Sequence, residues 1–209
     1  MSTRFAGAVV ALAASIAATG CGAAGSASPA RTPATHPASD SVTAGPPVAR
    51  TSRAVGIGCD RIPATGPGSI DGMASAPVAT AVAHNPLLTE LARAIRKAGL
   101  TGELNSATAI TVFAPEDAAF TAMGRGNLTT LLADKHDLAK TLKYQVVSGR
   151  QTPADLATGK HLTTLLGTVI VPVKKRSDYR VNEAQVVCGN IQTANATIYI
   201  VSKVLVPIP

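Results

Sequence analysis

The sequence is poor in aromatic side chains: it has no tryptophan, three tyrosines and three phenylalanines among 209 residues. Its formal net charge is +7, which favours acidic partners by electrostatic attraction. Proteins that bind single-stranded nucleic acid stack the bases on aromatic side chains, and this chain has few to offer. The composition therefore favours anionic lipid or acidic glycan over nucleic acid.

Sequence motifs for catalysis and metal binding are missing as well. The chain has no G-x-S-x-G nucleophile elbow, no P-loop and no H-E-x-x-H zinc motif. Its histidines are scattered, without zinc-type spacing from one another or from cysteine: His36, His84, His136 and His161. We therefore expect a protein that is not an enzyme and that holds no metal and no cofactor.

No apolar run reaches the roughly 20 residues that a membrane-spanning helix needs. The N-terminal run, residues 5–18 (FAGAVVALAASIAA), follows a short head that carries Arg4. A positive head before a short apolar run is typical of a secretory signal. We therefore predict a leader peptide at residues 1–20 and export of the rest of the chain.

Small residues stand directly before the first cysteine, in the sequence ATGC at residues 18–21. This segment resembles the bacterial lipobox, whose cysteine is acylated and becomes the first residue after cleavage, although Ala18 replaces the usual leucine. The resemblance implies that acyl chains of the palmitate type on Cys21 anchor the protein to a membrane. The alternative is an ordinary signal peptide cleaved nearby, with Cys21 unmodified.

Residues 21–58 are rich in proline, alanine, serine and threonine and contain no aromatic side chain. Such a segment cannot bury enough apolar surface to offset the entropy lost on ordering. We predict a disordered, extended tether here that holds a domain at residues 59–209 away from the membrane. Its threonines near prolines suit O-glycosylation, and an unmodified spacer is an equal alternative.

The other two cysteines, Cys59 and Cys188, fall in the part predicted to be exported, where oxidation is permitted. Two is the number that a single disulfide requires. The distance between them in the sequence excludes a C-x-x-C metal or redox motif.

The first half of the predicted domain shows mainly helical patterns. Within residues 77–100, apolar side chains recur at steps of four, as in an amphipathic helix. Residues 109–113 are typical of a strand, and Pro115 is expected at the first position of the next helix. A further helix is predicted at residues 137–142, running into a short strand at 144–147.

The last third of the chain changes character. Short runs rich in valine, isoleucine, threonine and tyrosine alternate with turn residues, at residues 162–173, 179–181, 184–188 and 197–206. This pattern indicates antiparallel sheet built from hairpins. Because helices come first and strands later, the expected fold class is α+β.

Three segments together carry a family resemblance: residues 110–120 (ITVFAPEDAAF), 142–147 (LKYQVV) and 195–207 (NATIYIVSKVLVP). They resemble the first box, the central Tyr-His motif and the second box of fasciclin (FAS1) domains, in the family order, and the resemblance covers residues 66–209. Cys59 with residues 187–189 and 193–197 is similar to the secreted and lipid-anchored fasciclin-domain antigens of mycobacterial type.

The resemblance implies a wedge of two β-sheets with helices packed along one side, and a disulfide joining Cys59 and Cys188. It also implies a role in adhesion or protein binding at the cell envelope. Gln145 stands where the family usually has histidine, so the adhesion role of this motif in animal relatives does not transfer directly. Tyr144 is expected to be buried, with its hydroxyl on a backbone partner.

A surface candidate is the basic cluster of Lys174, Lys175 and Arg176, followed by Arg180, between two predicted strands. At a hairpin tip these charges would meet acidic glycan or phospholipid headgroups. The alternative is a solvated turn that also protects a sheet edge from pairing with another chain.

Three functional hypotheses follow: an adhesion or protein-binding module, a carrier of a small apolar or lipid ligand, and a hydrolase without a recognised motif. We favour the first, at the outer face of the cell membrane, with a shed or secreted form as a second state. The expected partner is an envelope or host-surface protein, or an acidic glycan or lipid. We expect membrane attachment through the lipid anchor only, and no nucleic acid.

Overall fold

The computed structural model describes residues 53–207. The predicted leader at residues 1–20, Cys21 and the predicted tether as far as residue 52 lie outside the described residues. Within residues 53–207, no helix combines the length and the apolar character needed to cross a bilayer.

The α-helices are concentrated in the first half of the described chain. The longest apolar helical pattern in the sequence corresponds to two of them, separated by a turn that contains Pro86. The second of the two ends at Gly99, whose φ of 76° lies in the left-handed region that glycine adopts at little cost. The helices are Ile70–Met73 (α1), Val78–His84 (α2), Thr89–Ala98 (α3), Thr101–Ser106 (α4), Asp117–Ala122 (α5), Arg125–Ala133 (α6), Lys135–Tyr144 (α7) and Pro153–Ala157 (α8).

The strands form a larger and a smaller sheet. They are Ile110–Pro115 (β1), Val146–Ser148 (β2), Leu162–Thr163 (β3), Val169–Ile170 (β4), Pro172–Lys175 (β5), Asp178–Val181 (β6), Ala184–Gln192 (β7) and Ala196–Val201 (β8). The six-stranded sheet has the order β2-β1-β8-β7-β6-β5, and β3 pairs with β4. The prediction of an α+β fold with two sheets is confirmed. The strands of the last third pair with one another antiparallel, as predicted, but β1, which lies outside that segment, runs parallel to β8.

The position predicted for Pro115 is also wrong. This residue ends β1 opposite Val201, and α5 begins only at Asp117, after Glu116 as its N-cap. Proline has no N–H to donate to a neighbouring strand. This costs nothing at Pro115, because β2 pairs only with residues 110–112 of β1 and has no carbonyl opposite Pro115.

Tyr144 belongs to the end of α7 rather than to the strand predicted at residues 144–147. Leu138, Thr141 and Tyr144 are buried at helical spacing, and this buried face extends the helix past its predicted end. The Tyr144 hydroxyl accepts a hydrogen bond of 3.1 Å from the side-chain Nδ2 of Asn182. The expected backbone partner is therefore replaced by a side chain.

The larger sheet is buried on both faces at its centre. Ile110 and Val112 share one face and pack with the helices, whereas Phe113 points to the opposite face. There its ring lies 5.8 Å from that of Tyr199, centroid to centroid. Burial raises the pKa of the Tyr199 hydroxyl, which donates a 2.9 Å hydrogen bond to the carbonyl of Gln151. The helices from α1 to α7 thus lie mainly on one face, while β3, β4 and α8 cover the other.

The ordered domain begins before Cys59, where the predicted tether was expected to end. Val55 exchanges backbone hydrogen bonds of 3.0 and 2.7 Å with Gly189, and the N–H of Gly58 donates to the carbonyl of Val187. The pairing of β7 with β8 shifts register around Cys188. In this irregular part of β7, the backbone groups of Val187 and Gly189 therefore form hydrogen bonds with the N-terminal segment.

Candidate binding surface

The four predicted basic residues lie on the hairpin formed by β5 and β6, and all four are exposed. Lys174 and Lys175 end β5, Arg176 begins the two-residue turn, and Arg180 lies in β6. Within the described residues, β5 is an edge of the six-stranded sheet. This position fits protection of a sheet edge as well as it fits binding.

Strand register divides this basic cluster between two faces. Val173 lies opposite Arg180, Lys174 opposite Tyr179, and Lys175 opposite Asp178. Since side chains alternate along a strand, Val173, Lys175 and Arg180 share one face. Lys174 lies on the other, with its Nζ 5.3 Å from the centre of the Tyr179 ring.

A fifth basic residue, Lys203, joins the first of these faces. Together with Val173, Lys175 and Arg180 it lines a depression of about 340 Å³. We call the surface around this depression the outer face. A hydrogen bond from the N–H of Ser202 to the carbonyl of Gln185 holds the chain after β8 in this place. Sequence reasoning missed Lys203 because no local pattern connects it with the hairpin.

An adjoining depression of about 380 Å³ extends the outer face, and Lys203 lines both. Val169 and Val206 lie in this second depression, where they are 47% and 55% exposed. Glu183 borders both depressions, with its carboxylate 3.4 Å from the Lys203 ammonium. The lining of the two depressions thus combines basic side chains, exposed valines and the carboxylate of Glu183, and Asp178, opposite Lys175, adds a second carboxylate to the same face.

Arg176 adopts a φ of 55°, in the left-handed region. For a residue with a Cβ this conformation costs about 1 kcal/mol, and glycine would avoid the cost. The turn therefore carries an arginine at its tip, where glycine would fit the backbone better.

The acidic residues of the first box stabilise the fold rather than form a site. The Glu116 carboxylate accepts a 2.6 Å bond from the guanidinium of Arg61, near the domain's N-terminus. Asp117 accepts hydrogen bonds from the hydroxyl of Thr89 and from the N–H of Glu90, and so caps the start of α3.

The central motif lies in the interior. Gln145 is 2% exposed, and within residues 53–207 no protein atom hydrogen-bonds to its Oε1 or Nε2. Its own backbone carbonyl accepts a 2.8 Å bond from the N–H of Phe113. The Gln145 side chain therefore makes no contact at the surface in this conformation, whereas Tyr144 of the same motif lines the second depression of the outer face.

Cys59 and Cys188 are joined by a disulfide bond in the structure. The bond connects the short 3-10 helix Cys59–Arg61 to β7, next to the backbone pairing of Val55. Among the described residues, no group of three or more His, Cys, Asp or Glu side chains is arranged to hold a metal ion.

A separate groove of about 1000 Å³ runs beside α6 and α7. Its apolar lining includes Met123, Leu131 and Leu166, and Val206 links it to the second depression of the outer face. α6 is amphipathic only weakly: its leucines are half-buried and none of its residues is fully buried. Neither α6 nor this groove was predicted from the sequence, although Leu128, Leu131 and Leu132 fall at the i, i+3, i+4 spacing of a helix.

Comparison with known proteins identifies relatives along most of the chain. MPB83, a cell surface glycolipoprotein of Mycobacterium bovis, is 38% identical over 187 residues, covering 84% of this chain and 81% of that protein. The immunogenic protein MPB70 of the same organism is 37% identical over 169 residues, covering 77% of this chain and 86% of that protein.

Among solved structures, a FAS1 domain pair from the insect cell adhesion molecule fasciclin I aligns with a TM-score of 0.57 and 15% identity. The match covers 65% of this chain and 52% of that chain, so this chain spans about half of the pair and the likeness concerns the fold alone. The family model of the fasciclin domain matches residues 86–207, from the turn before α3 to the end of the described chain. Together with the identity to MPB83 and MPB70, this match shows that the chain belongs to the fasciclin domain family.

Proposed function

We propose that this protein is a binding module without catalytic activity at the outer face of the cell envelope. Residues 1–20 are its leader, acyl chains on Cys21 hold it to the membrane, and the tether that follows presents the domain. The domain then engages an acidic partner through the basic hairpin: Lys174, Lys175, Arg176 and Arg180.

The observation that carries this proposal is the exposure of all four basic side chains on the hairpin that ends the six-stranded sheet. Sites on a rigid scaffold lose less conformational entropy on binding than sites on mobile loops. The similarity to MPB83, a protein described as a cell surface glycolipoprotein, supports both the envelope location and the lipid anchor.

Binding to envelope fragments tests the proposal. The chain from Gly22 onward, which lacks the leader and Cys21, is mixed with washed fragments from the source cells at low and at high salt. Replacement of the four hairpin residues by glutamine should remove most of the salt-sensitive part of the binding, because exposed charges act over about 10 Å at 0.1 M salt. A matched control replaces four exposed basic residues of α3 and α6: Arg93, Arg96, Lys97 and Arg125.

The control variant should bind as wild type does. Equal binding by the hairpin variant and wild type at both salt concentrations would refute the role of the hairpin. Treating the fragments with protease beforehand separates protein partners, whose binding is lost, from glycan and lipid partners, whose binding persists.

A second candidate function is the transport of a small apolar or lipid ligand, which the groove beside α6 and α7 favours. Binding pockets for small molecules commonly have volumes of about 300–1,000 Å³. Lipid extracted from the purified exported protein, identified by mass spectrometry and lost in a Leu131→Gln variant, would support this function. Protein that carries no extractable lipid and binds no fluorescent fatty acid would exclude it.

A further inference from the structure

Exposed apolar side chains are concentrated on the outer face. Within the described residues, four large apolar side chains are exposed: Ile57, Val169, Val173 and Val206. Three of these four line the two depressions that Lys203 connects. Exposed apolar residues usually occur singly, and a group of them next to charges indicates a contact surface.

We propose that the outer face docks on a bilayer surface that contains anionic phospholipid. The three valines then lie at the boundary between headgroups and acyl chains, and Lys175, Arg180 and Lys203 contact phosphate groups. The inference rests on the proposed function, because it specifies the partner of the same basic surface. It adds a direct membrane contact to the lipid anchor on Cys21.

The combination of side chains favours a bilayer over a glycan. Proteins that lie on membranes combine buried apolar area with attraction to anionic lipid. A glycan chain or an acidic protein surface gains from the charges but offers no hydrocarbon layer for three exposed valines. A lipid anchor together with a basic patch is also a recurrent pair of membrane signals, because each alone gives weaker attachment.

Glu183 provides an internal test of the charge argument. Its side chain is 88% exposed, and its carboxylate lies 3.4 Å from the Lys203 ammonium on the same surface. Since a carboxylate is repelled by anionic lipid, removing this charge should strengthen docking. A surface whose charges serve only solubility would show no such gain.

The experiment measures sedimentation of the chain from Gly22 onward with vesicles of phosphatidylcholine, with and without phosphatidylglycerol. Because this chain lacks the leader and Cys21, neither an acyl group nor the apolar leader contributes to binding. Three variants address the outer face: Lys175→Gln with Arg180→Gln and Lys203→Gln; Val169→Thr with Val173→Thr and Val206→Thr; and Glu183→Gln. The matched control is Arg93→Gln with Arg96→Gln and Lys97→Gln on α3, which changes the net charge equally.

We expect wild type to bind vesicles only when they contain phosphatidylglycerol. The three-charge variant should bind roughly 100-fold more weakly, since each of the three basic residues near an anionic surface contributes roughly fivefold. The valine variant should lose several-fold, Glu183→Gln should gain up to roughly fivefold, and the α3 control should stay close to wild type. Circular dichroism and thermal unfolding verify that each variant is folded.

Failure of wild type to bind phosphatidylglycerol vesicles, or an equal loss in the α3 control, would overturn the membrane proposal. A loss with the charge variant and none with the valine variant would also overturn it, in favour of a purely electrostatic partner such as an acidic glycan. These outcomes do not test the proposed function. That function is refuted separately if envelope fragments bind the hairpin variant as well as they bind wild type.

Discussion

Asn195 and Val78 are 117 positions apart in the chain, yet the side-chain Oδ1 of Asn195 accepts a 2.8 Å hydrogen bond from the N–H of Val78. The same side chain donates from Nδ2 to the carbonyls of Leu104 and Ala107, each at 2.8 Å. The Asn195 amide, just before β8, therefore provides hydrogen-bond partners for backbone groups at the start of α2 and at the end of α4. These groups would otherwise lack partners at the helix ends.

Asn195→Ala should lower the free energy of unfolding by about 2–4 kcal/mol, because it removes several hydrogen bonds and leaves partly buried backbone groups unpaired. Urea unfolding followed by circular dichroism measures the change. Asn127→Ala is the matched control, since the exposed Asn127 donates one side-chain hydrogen bond, to the carbonyl of Met123 just before α6. A loss no larger at Asn195 than at Asn127 would contradict this role.

Gln145→Met should raise the free energy of unfolding by about 1–2 kcal/mol. The variant keeps the length of the side chain but removes a buried amide that has no protein partner within the described residues, and such an unpaired group is costly. The half-exposed Gln151, replaced in the same way, should give no gain. If urea unfolding shows that Gln145→Met destabilises the protein, the Gln145 amide must form hydrogen bonds in solution, which would contradict this prediction.

Replacing both Cys59 and Cys188 by alanine should lower the melting temperature clearly. Their disulfide closes a loop with a sequence separation of 129, for which the chain-entropy model gives about 5 kcal/mol. The pairing of Val55 and the Arg61–Glu116 ion pair remain, so the variant should still fold at low temperature. Recovery of two free thiols from the denatured but unreduced exported protein would disprove the bond.

Asp155 should make the start of α8 sensitive to acid. Hydrogen bonds from the side chain and then from the N–H of Thr152 hold the pKa of this carboxyl below its usual value near 3.8. Because the pKa is lower in the folded state, the stabilisation is present at neutral pH and is lost as the pH falls through the folded-state value. Asp155→Asn should therefore be less stable than wild type at neutral pH, and the difference should shrink below about pH 4. Urea midpoints across this range measure it, and parallel curves would contradict the assignment.

The sequence predicted those parts of the fold whose signals are local. The alternation of Ile110 and Val112 identified β1, and the turn residues between short apolar runs identified the hairpins of the last third. Parallel pairing of β1 with β8 could not be predicted in this way, because it depends on the packing of segments far apart in the chain. The same is true of the hydrogen bonds that Asn195 makes with α2 and α4.

The candidate surface was predicted only in part for the same reason. The run from Lys174 to Arg176 is visible as consecutive charges, but strand pairing decides that Lys175 and Arg180 share a face and that Lys174 does not. Lys203 and Val206 reach this surface because the chain after β8 folds back beside the hairpin, and local composition gives no signal of that contact.

The mass of the N-terminal peptide tests most directly the claim that this domain is held at the envelope by lipid. The protein is expressed with its own leader in a bacterial host that exports and acylates lipoproteins. We predict that wild type is recovered in the membrane fraction with Cys21 as its first residue and with the added mass of acyl chains, whereas Cys21→Ala is recovered in the soluble or secreted fraction. Wild type without an acyl group on Cys21, together with a Cys21→Ala variant that fractionates with membranes as wild type does, would contradict the account.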